Sequence, residues 1–348
     1  MSAGSNLDPD SLNNWLTATS SGYTWDGGFN WFEIPSLSGE LKATKNSTEL
    51  KYYKLRGDSI FPSVDNVLSS GLSAILGISD HSSPSGLHYV VATGIKKSGE
   101  QYTILDPLST SRTVLDTNDA TIKWVNVYEP TNSNLSYLVI HLSPGLQGLL
   151  THGSGAKVGL DGSEHTDQPK SWYGWIPPLV FDDTKMSSGN GFTELGVPTP
   201  LEGDYNLRLS TTNPGVYKLA FYFYDHDGES EKYEYDVFVG SSGTEYNFNY
   251  HQSEENWQDP TLIVSFDSLI AKIRYAYDQG WIIKSYNRDK FIREVKEAQQ
   301  YAQKRPVKAI RYLETLKQML RIYKPIRLTQ VGYDFLIGDI GTLIEDLR

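Results

Sequence analysis

The chain has 348 residues, 39% hydrophobic, 12% aromatic and 21% charged, which is enough apolar material for two or three packed domains and too little charge for general disorder. Its 31 basic and 42 acidic residues leave a formal charge of −11, which argues against nucleic-acid affinity because phosphate contacts need basic surface. With no cysteine, these residues supply no disulfide, no thiolate metal site and no cysteine nucleophile.

In chain order, Met1 to Asp10 lacks the apolar core of a signal peptide, and no later stretch approaches the roughly twenty unbroken apolar residues of a membrane helix. Asp8 to Thr19 reads as a short helix, with Pro9 near its first turn and Leu12, Trp15 and Leu16 on one face. After a loop with Gly27-Gly28, apolar runs at Ala74 to Ile78, His88 to Thr93 and Tyr102 to Leu105 suit buried strands. This is an α+β pattern.

Residues 135–252 are strand-rich and aromatic. Tyr217 to Tyr224 and Lys232 to Gly240 flank Asp225-His226-Asp227-Gly228, and Asp-Gly between alternating segments signals a hairpin. Pro198, Pro200, Gly203, Pro214 and Gly215 punctuate the run before it at intervals that suit short strands. Asp225-x-Asp227-Gly228-Glu229 could offer oxygens to calcium, but it lacks the third acidic ligand and the frame of an EF-hand, so a turn is expected. Tyr222, Tyr224, Tyr233, Tyr235, Tyr246 and Tyr250 could line a sugar-binding face, although alternate aromatics on strands more often serve packing.

From Phe266 the pattern turns helical. Phe266, Leu269, Ile270, Ile273 and Tyr277 share one face, ended by Gly280. Asn287 is a fair N-cap for a second helix bearing Phe291, Ile292, Val295, Ala298 and Ala302. Pro306 suits the first turn of a third, with Ile310, Leu313, Leu316, Leu320 and Tyr323 inward and a stop before Pro325. A fourth runs from about Thr329 through Leu336, Ile340, Leu343, Ile344 and Leu347. Short amphipathic helices with short connections predict a small bundle. Charge divides at the same place: Asp267 onward holds 16 Lys and Arg against 10 Asp and Glu, net +6, leaving 15 against 32, net −17, before it. The basic faces could meet an acidic partner, although a solvated face is the simpler reading.

One pair of residues points to chemistry. His88 opens one apolar segment and Asp106 closes the next, so two antiparallel strands turning near Ser98-Gly99 would set them side by side at one sheet edge. An imidazole beside a carboxylate has a held tautomer and a stabilised imidazolium, as a general base requires. On spacing alone, a surface ion pair at a strand end fits equally well. His81, His141, His152, His165, His226 and His251 have no metal-ligand spacing, and no metal or other cofactor is expected.

Asp8-Pro9-x-x-Leu12-Asn13-x-Trp15-Leu16, Gly22-Tyr23, Trp31, the strand from Ser73 to Ile78, His88-Tyr89-Val90-Val91 and Asp106-Pro107 together resemble the papain-like cysteine peptidases of the bacteriocin-processing type, particularly their extracellular C-thirty-nine-like branch. The resemblance covers about residues 7–125. It implies a papain-like fold with His88 as base and Asp106 as its orienting partner. In that family the nucleophilic cysteine and an oxyanion-stabilising glutamine precede the Leu-Asn-x-Trp-Leu segment. Here neither is present; Ser2 and Ser5 would lie on an unanchored terminus, and no peptidase turnover is expected. The absent nucleophile helix and the absent leader would share one explanation if the native protein begins upstream.

Leu149-Leu150-Thr151-x-Gly153 through Gly159, Trp175-Ile176-Pro177, Pro200-x-x-Gly203-x-Tyr205 and Gly215-x-Tyr217 are similar to β-sandwich modules of secreted bacterial proteins. Leu269-Ile270, Gly280-Trp281-Ile282 and the later helices resemble small helical modules on bacterial surface enzymes. The expectation is therefore a multidomain α+β chain. It has a papain-like domain without its nucleophile helix (7–130), a β-sandwich (135–252) and a helical bundle (262–348). Resemblance places it outside the cell or at its surface, with a peptide, glycan or cell-envelope polymer as partner, no nucleic acid and no membrane span. A binding module that performs no catalysis is the alternative.

Overall fold

The computed structural model describes residues 9–19, 21–24, 30–38, 49–55, 60–80, 88–107, 109, 111–118, 120–131, 134–176, 191–253, 257–324 and 326–348. Ser2, Ser5, Leu7, Asp8, Gly27, Gly28, His81, Pro177 and Pro325, singled out above, lie outside them. The fold is mixed α+β with three antiparallel sheets.

The first part of the chain comprises α1 (Pro9–Ala18), α2 (33–38), β1 (Glu49–Leu55), α3 (Ile60–Ser69), β2 (Ala74–Asp80), β3 (His88–Lys97), β4 (Gln101–Leu105), β5 (Val114–Asp116) and β6 (Ala120–Thr131). The strands form one sheet in the order β1-β6-β2-β3-β4-β5. On one face, Val64, Val67 and Leu68 of α3 cover Leu76, Ile78, Val90, Ala92, Ile104 and Val127, so alternate residues of these strands are apolar and buried. On the other face Tyr89 sits 5.5 Å from Trp31 and 6.0 Å from Trp124. The Trp124 indole lies over Gly77, where a Cβ would come within 2.2 Å of its Nε1; no larger residue leaves room for that ring.

Then follow β7 (Tyr137–Leu142), β8 (Leu146–His152), β9 (Lys157–Leu160), β10 (Glu164–Thr166), β11 (Trp172–Ile176), β12 (Phe192–Pro198), β13 (Gly203–Thr211), β14 (Gly215–Tyr224), β15 (Ser230–Val239), β16 (Thr244–Tyr250) and β17 (Thr261–Ile263). They form a sheet β10-β9-β8-β13-β16-β17 and a sheet β11-β12-β7-β14-β15. Ile140, Leu195, Phe221 and Phe223 of one meet Leu150, Leu207, Tyr246 and Phe248 of the other in one core. The β14–β15 hairpin turns where Asp-Gly stands, and Asp225 Oδ1 accepts from the Asp227 and Glu229 amides at 2.9 and 2.8 Å. That carboxylate closes a turn. Tyr222, Tyr224, Tyr246 and Tyr250 are buried, while Tyr233 and Tyr235 are part-buried against the core, so the six rings pack and do not form an open sugar-binding face.

The first sheet and the paired sheets share a buried aromatic cluster: Phe32, Tyr52, Tyr137, Trp172, Tyr222 and Tyr224. Phe32 stacks on Trp172 at 5.6 Å and meets Tyr52 edge-on at 4.8 Å. Each such buried ring contributes about 1.5–3 kcal/mol. The Tyr137 hydroxyl donates to the Tyr52 carbonyl and accepts from the Tyr52 amide, both at 2.6 Å. These are ladder groups of β1 that face away from β6, so the phenol satisfies the edge strand at Tyr52, as the Ser38 hydroxyl does for the Leu50 amide at 2.8 Å. Burial holds the Tyr137 hydroxyl neutral, its pKa well above the usual phenol range.

The helices α4 (Phe266–Asp278), α5 (Ser285–Ala302), α6 (Pro306–Tyr323) and α7 (Gln330–Asp346) enclose a separate core that includes Leu269, Ile273, Phe291, Leu313, Leu316, Leu336 and Ile340. Ser265 caps α4 in a reciprocal box with Ser268, Pro306 begins α6, and the Thr329 hydroxyl caps α7 by accepting from Gly332. Asn287 does not cap α5. The helix starts at Ser285 after Lys284, and the buried Asn287 amide donates back to the Ile283 carbonyl instead. Phe238 joins the paired sheets to the helices through Tyr275 at 5.1 Å and Phe335 at 5.5 Å.

Candidate functional site

The strands β3 and β4 are antiparallel neighbours with Val91 opposite Leu105 and Ala92 opposite Ile104, joined by a turn at residues 98–100 in which Gly99 has φ 69. That register carries His88, at the start of β3, beside Asp106, just past the end of β4. His88 Nε2 lies 2.7 Å from Asp106 Oδ1, with the two side chains 9% and 2% exposed. Arg112 Nη1 stands 3.6 Å from the other carboxylate oxygen, Oδ2. An ionised carboxylate can only accept, so the neutral ring facing it carries its proton on Nε2. Nδ1 is then the basic nitrogen, and it makes no hydrogen bond to any described residue. This arrangement can hold an imidazole in one tautomer and stabilise its charged form; alone it cannot form a covalent intermediate.

A second imidazole–carboxylate group was not legible beforehand. Lys54 of β1 lies 2.7 Å from Glu194 Oε1 of β12, Trp172 Nε1 of β11 donates to the same oxygen at 2.9 Å, and His141 Nε2 of β7 is 3.2 Å from Oε2. Lys54, His141 and Glu194 are all buried between the first sheet and the paired sheets. Burial pushes the Glu194 carboxyl up, but Lys54 and His141 together outweigh it and hold the group well below the usual carboxylate range. The structure buries the whole of YLVIHL, with His141, and of FTELGVP, with Glu194, and a polar group in such a run must be paired; the apolar neighbours in the sequence hint at that need but not at the partner.

The remaining described histidines are simpler. His152 Nδ1 is 2.8 Å from the Ser154 hydroxyl, His165 is 2.6 Å from Asp161, and His226 is 3.2 Å from Asp227. Among the described residues no group of three or more His, Asp or Glu is placed to hold a metal ion, and no helix is long and apolar enough to cross a membrane.

A cavity of about 510 Å³ opens at one end of the paired sheets, lined by Trp175, Tyr173, Gln147, Thr193, Ser210 and Thr211 among others. Trp175 is 53% exposed there. No protein-family model, no curated protein and no solved structure matches the chain.

Proposed function

We propose that residues 7–130 form the base-bearing half of a papain-like cysteine-peptidase site, carried with a β-sandwich and a helical bundle in a secreted or surface bacterial protein. His88 is the base and Asp106 its orienter. The observation that carries this reading is the 2.7 Å contact between His88 Nε2 and Asp106, which leaves Nδ1 to meet a nucleophile. A thiolate beside Nδ1 would attack a peptide carbonyl carbon, and the imidazolium would return the proton to the leaving amine. The 348 residues hold no thiol, so under this reading the nucleophile comes from outside them.

The test is intact-mass and N-terminal analysis of the protein from its source, joined to a peptide-hydrolysis assay. A species with a cysteine upstream of Leu7, inhibited by iodoacetamide and inactivated by His88→Ala, is the expected result. A source protein that begins at Met1 overturns the catalytic reading.

The Trp175 cavity favours a second reading, a binding module that performs no catalysis. An exposed indole beside hydroxyl and amide side chains suits a glycan or a polar polymer. Under that reading Trp175→Ala abolishes binding to a cell-wall glycan and His88→Ala leaves it intact; the opposite pattern removes it.

A further inference from the structure

At one end of the helical region the α4–α5 and α6–α7 connections meet. Ile283 donates its amide to the Arg327 carbonyl at 2.9 Å, Ile282 bridges Leu328, and Thr329 donates to the Trp281 carbonyl at 2.9 Å. Ile282 and Leu328 fold into the helical core, but other apolar residues at this end do not. Ile322 is 70% exposed and Ile326 75%, and Ile283, Tyr286 and Val331 are also open. Single exposed apolar residues are ordinary, but five on these two connections and the helix ends beside them form a patch that needs an occupant.

The surrounding charge selects that occupant. Residues 279–290 and 321–334 contain Lys284, Arg288, Lys290, Arg321, Lys324 and Arg327, against Asp289 and Asp334 alone. Asp289 is engaged by Arg288 at 2.7 Å, and Asp334 accepts from Gln330 at 2.7 Å. The Arg327 guanidinium lies 5.2 Å from the Tyr323 ring centre, and the Lys324 and Lys290 ammonium groups lie 4.6 Å from that of Tyr333 and 5.6 Å from that of Tyr323, so cationic and aromatic groups interleave here. Lys284 holds φ 75, a conformation that costs a non-glycine residue energy, and it sits between exposed Ile283 and Tyr286.

We propose that this end of the helices is a docking surface for an anionic lipid bilayer, with Ile322, Ile326, Ile283 and Tyr286 entering the headgroup region and the cations meeting lipid phosphates. Isoleucines that protrude between lysines and arginines are the composition of an interfacial anchor. The charge division sets the orientation: the net −17 before Asp267 is repelled by an anionic surface, and the net +6 after it is attracted, within a screening length of about 8–10 Å.

The experiment is co-sedimentation of the full chain with phosphatidylcholine vesicles, with and without phosphatidylglycerol. Binding is expected only with the anionic lipid, weakening as salt rises. Ile322→Asn with Ile326→Asn should lower affinity about tenfold or more. Lys284→Gln with Arg321→Gln should lower it about twenty-five-fold, at about fivefold for each cation. All four side chains are exposed, so unchanged circular dichroism is expected of both variants. Three outcomes overturn the proposal: no binding to either vesicle, equal binding to both, or a chain that dimerises through these isoleucines. Retention on soluble polyglutamate as tight as on vesicles overturns it too, and assigns the patch to an acidic polypeptide.

Discussion

His88 and His141 each meet a carboxylate, at 2.7 Å from Asp106 and 3.2 Å from Glu194, and each carboxylate also faces a basic side chain, yet the two groups sit in different parts of the fold. The first pair joins two neighbouring strands at the rim of one sheet, with Arg112 beside the carboxylate. The second is enclosed with Lys54 and Trp172 between separate sheets, the His141 ring 4.3 Å from Phe192 and 4.8 Å from Tyr222. The chemical pair is the same. Placement separates them: the rim pair links adjacent strands of one sheet, whereas the enclosed group ties β1 of the first sheet to β7, β11 and β12 of the paired sheets.

The largest expected effect comes from breaking the enclosed group. Glu194→Ala leaves the Lys54 ammonium buried without its counter-charge and should cost about 3–5 kcal/mol in denaturant unfolding. A loss below about 1 kcal/mol would mean that Lys54 reaches water in the variant and that the junction opens easily. Next in size is Tyr137→Phe, which strips the Tyr52 amide and carbonyl of their buried partner; about 1–3 kcal/mol is expected, by the same measurement.

Acid sharpens the comparison. The Glu194 carboxyl titrates below its unfolded value, so its contribution is present above the ordinary carboxylate range and is lost as pH falls through the lowered folded value. The stability difference between wild type and Glu194→Gln should therefore be flat from neutral pH down to about 4.3 and shrink below it. A difference that instead grows toward low pH contradicts a carboxylate held down by Lys54.

The rim pair responds in another observable. Asp106→Asn keeps an oxygen that can accept from Nε2, but its amide can also donate, which would move the imidazole proton to Nδ1. A stability loss of about 1–2 kcal/mol is expected, together with a change of tautomer in the ¹⁵N spectrum of His88. An unchanged tautomer with the full stability loss would leave Asp106 a packing and charge partner only.

How much of this was readable in advance follows from sequence distance. His88 and Asp106 are 18 residues apart on one hairpin, so apolar spacing and a Gly99 turn were enough to bring them together. Lys54 and Glu194 are 140 apart on different sheets, and no local pattern encodes which buried strands will face each other. The β14–β15 hairpin and the helix start at Pro306 were legible from turn and first-turn chemistry, and the helix from about Thr329 from its apolar spacing. Asn287 misled because a good capping residue also serves as an internal hydrogen-bond donor, and only the packed α5 shows which role is used.

The smallest expected effect tests whether the rim pair is special to its end of the hairpin. At the opposite end of β3 and β4, Lys97 pairs with Glu100, their side chains 61% and 47% exposed. Water and salt already solvate both groups, and ordering two long side chains offsets most of the Coulomb gain. Lys97→Ala should therefore change unfolding by no more than about 0.5 kcal/mol and leave the His88 tautomer where it was. Both ends share the same two strands. If Lys97→Ala moved the His88 signal as far as Asp106→Asn does, that signal would report the whole hairpin's fit to the sheet, and the tautomer assignment to Asp106 would fall.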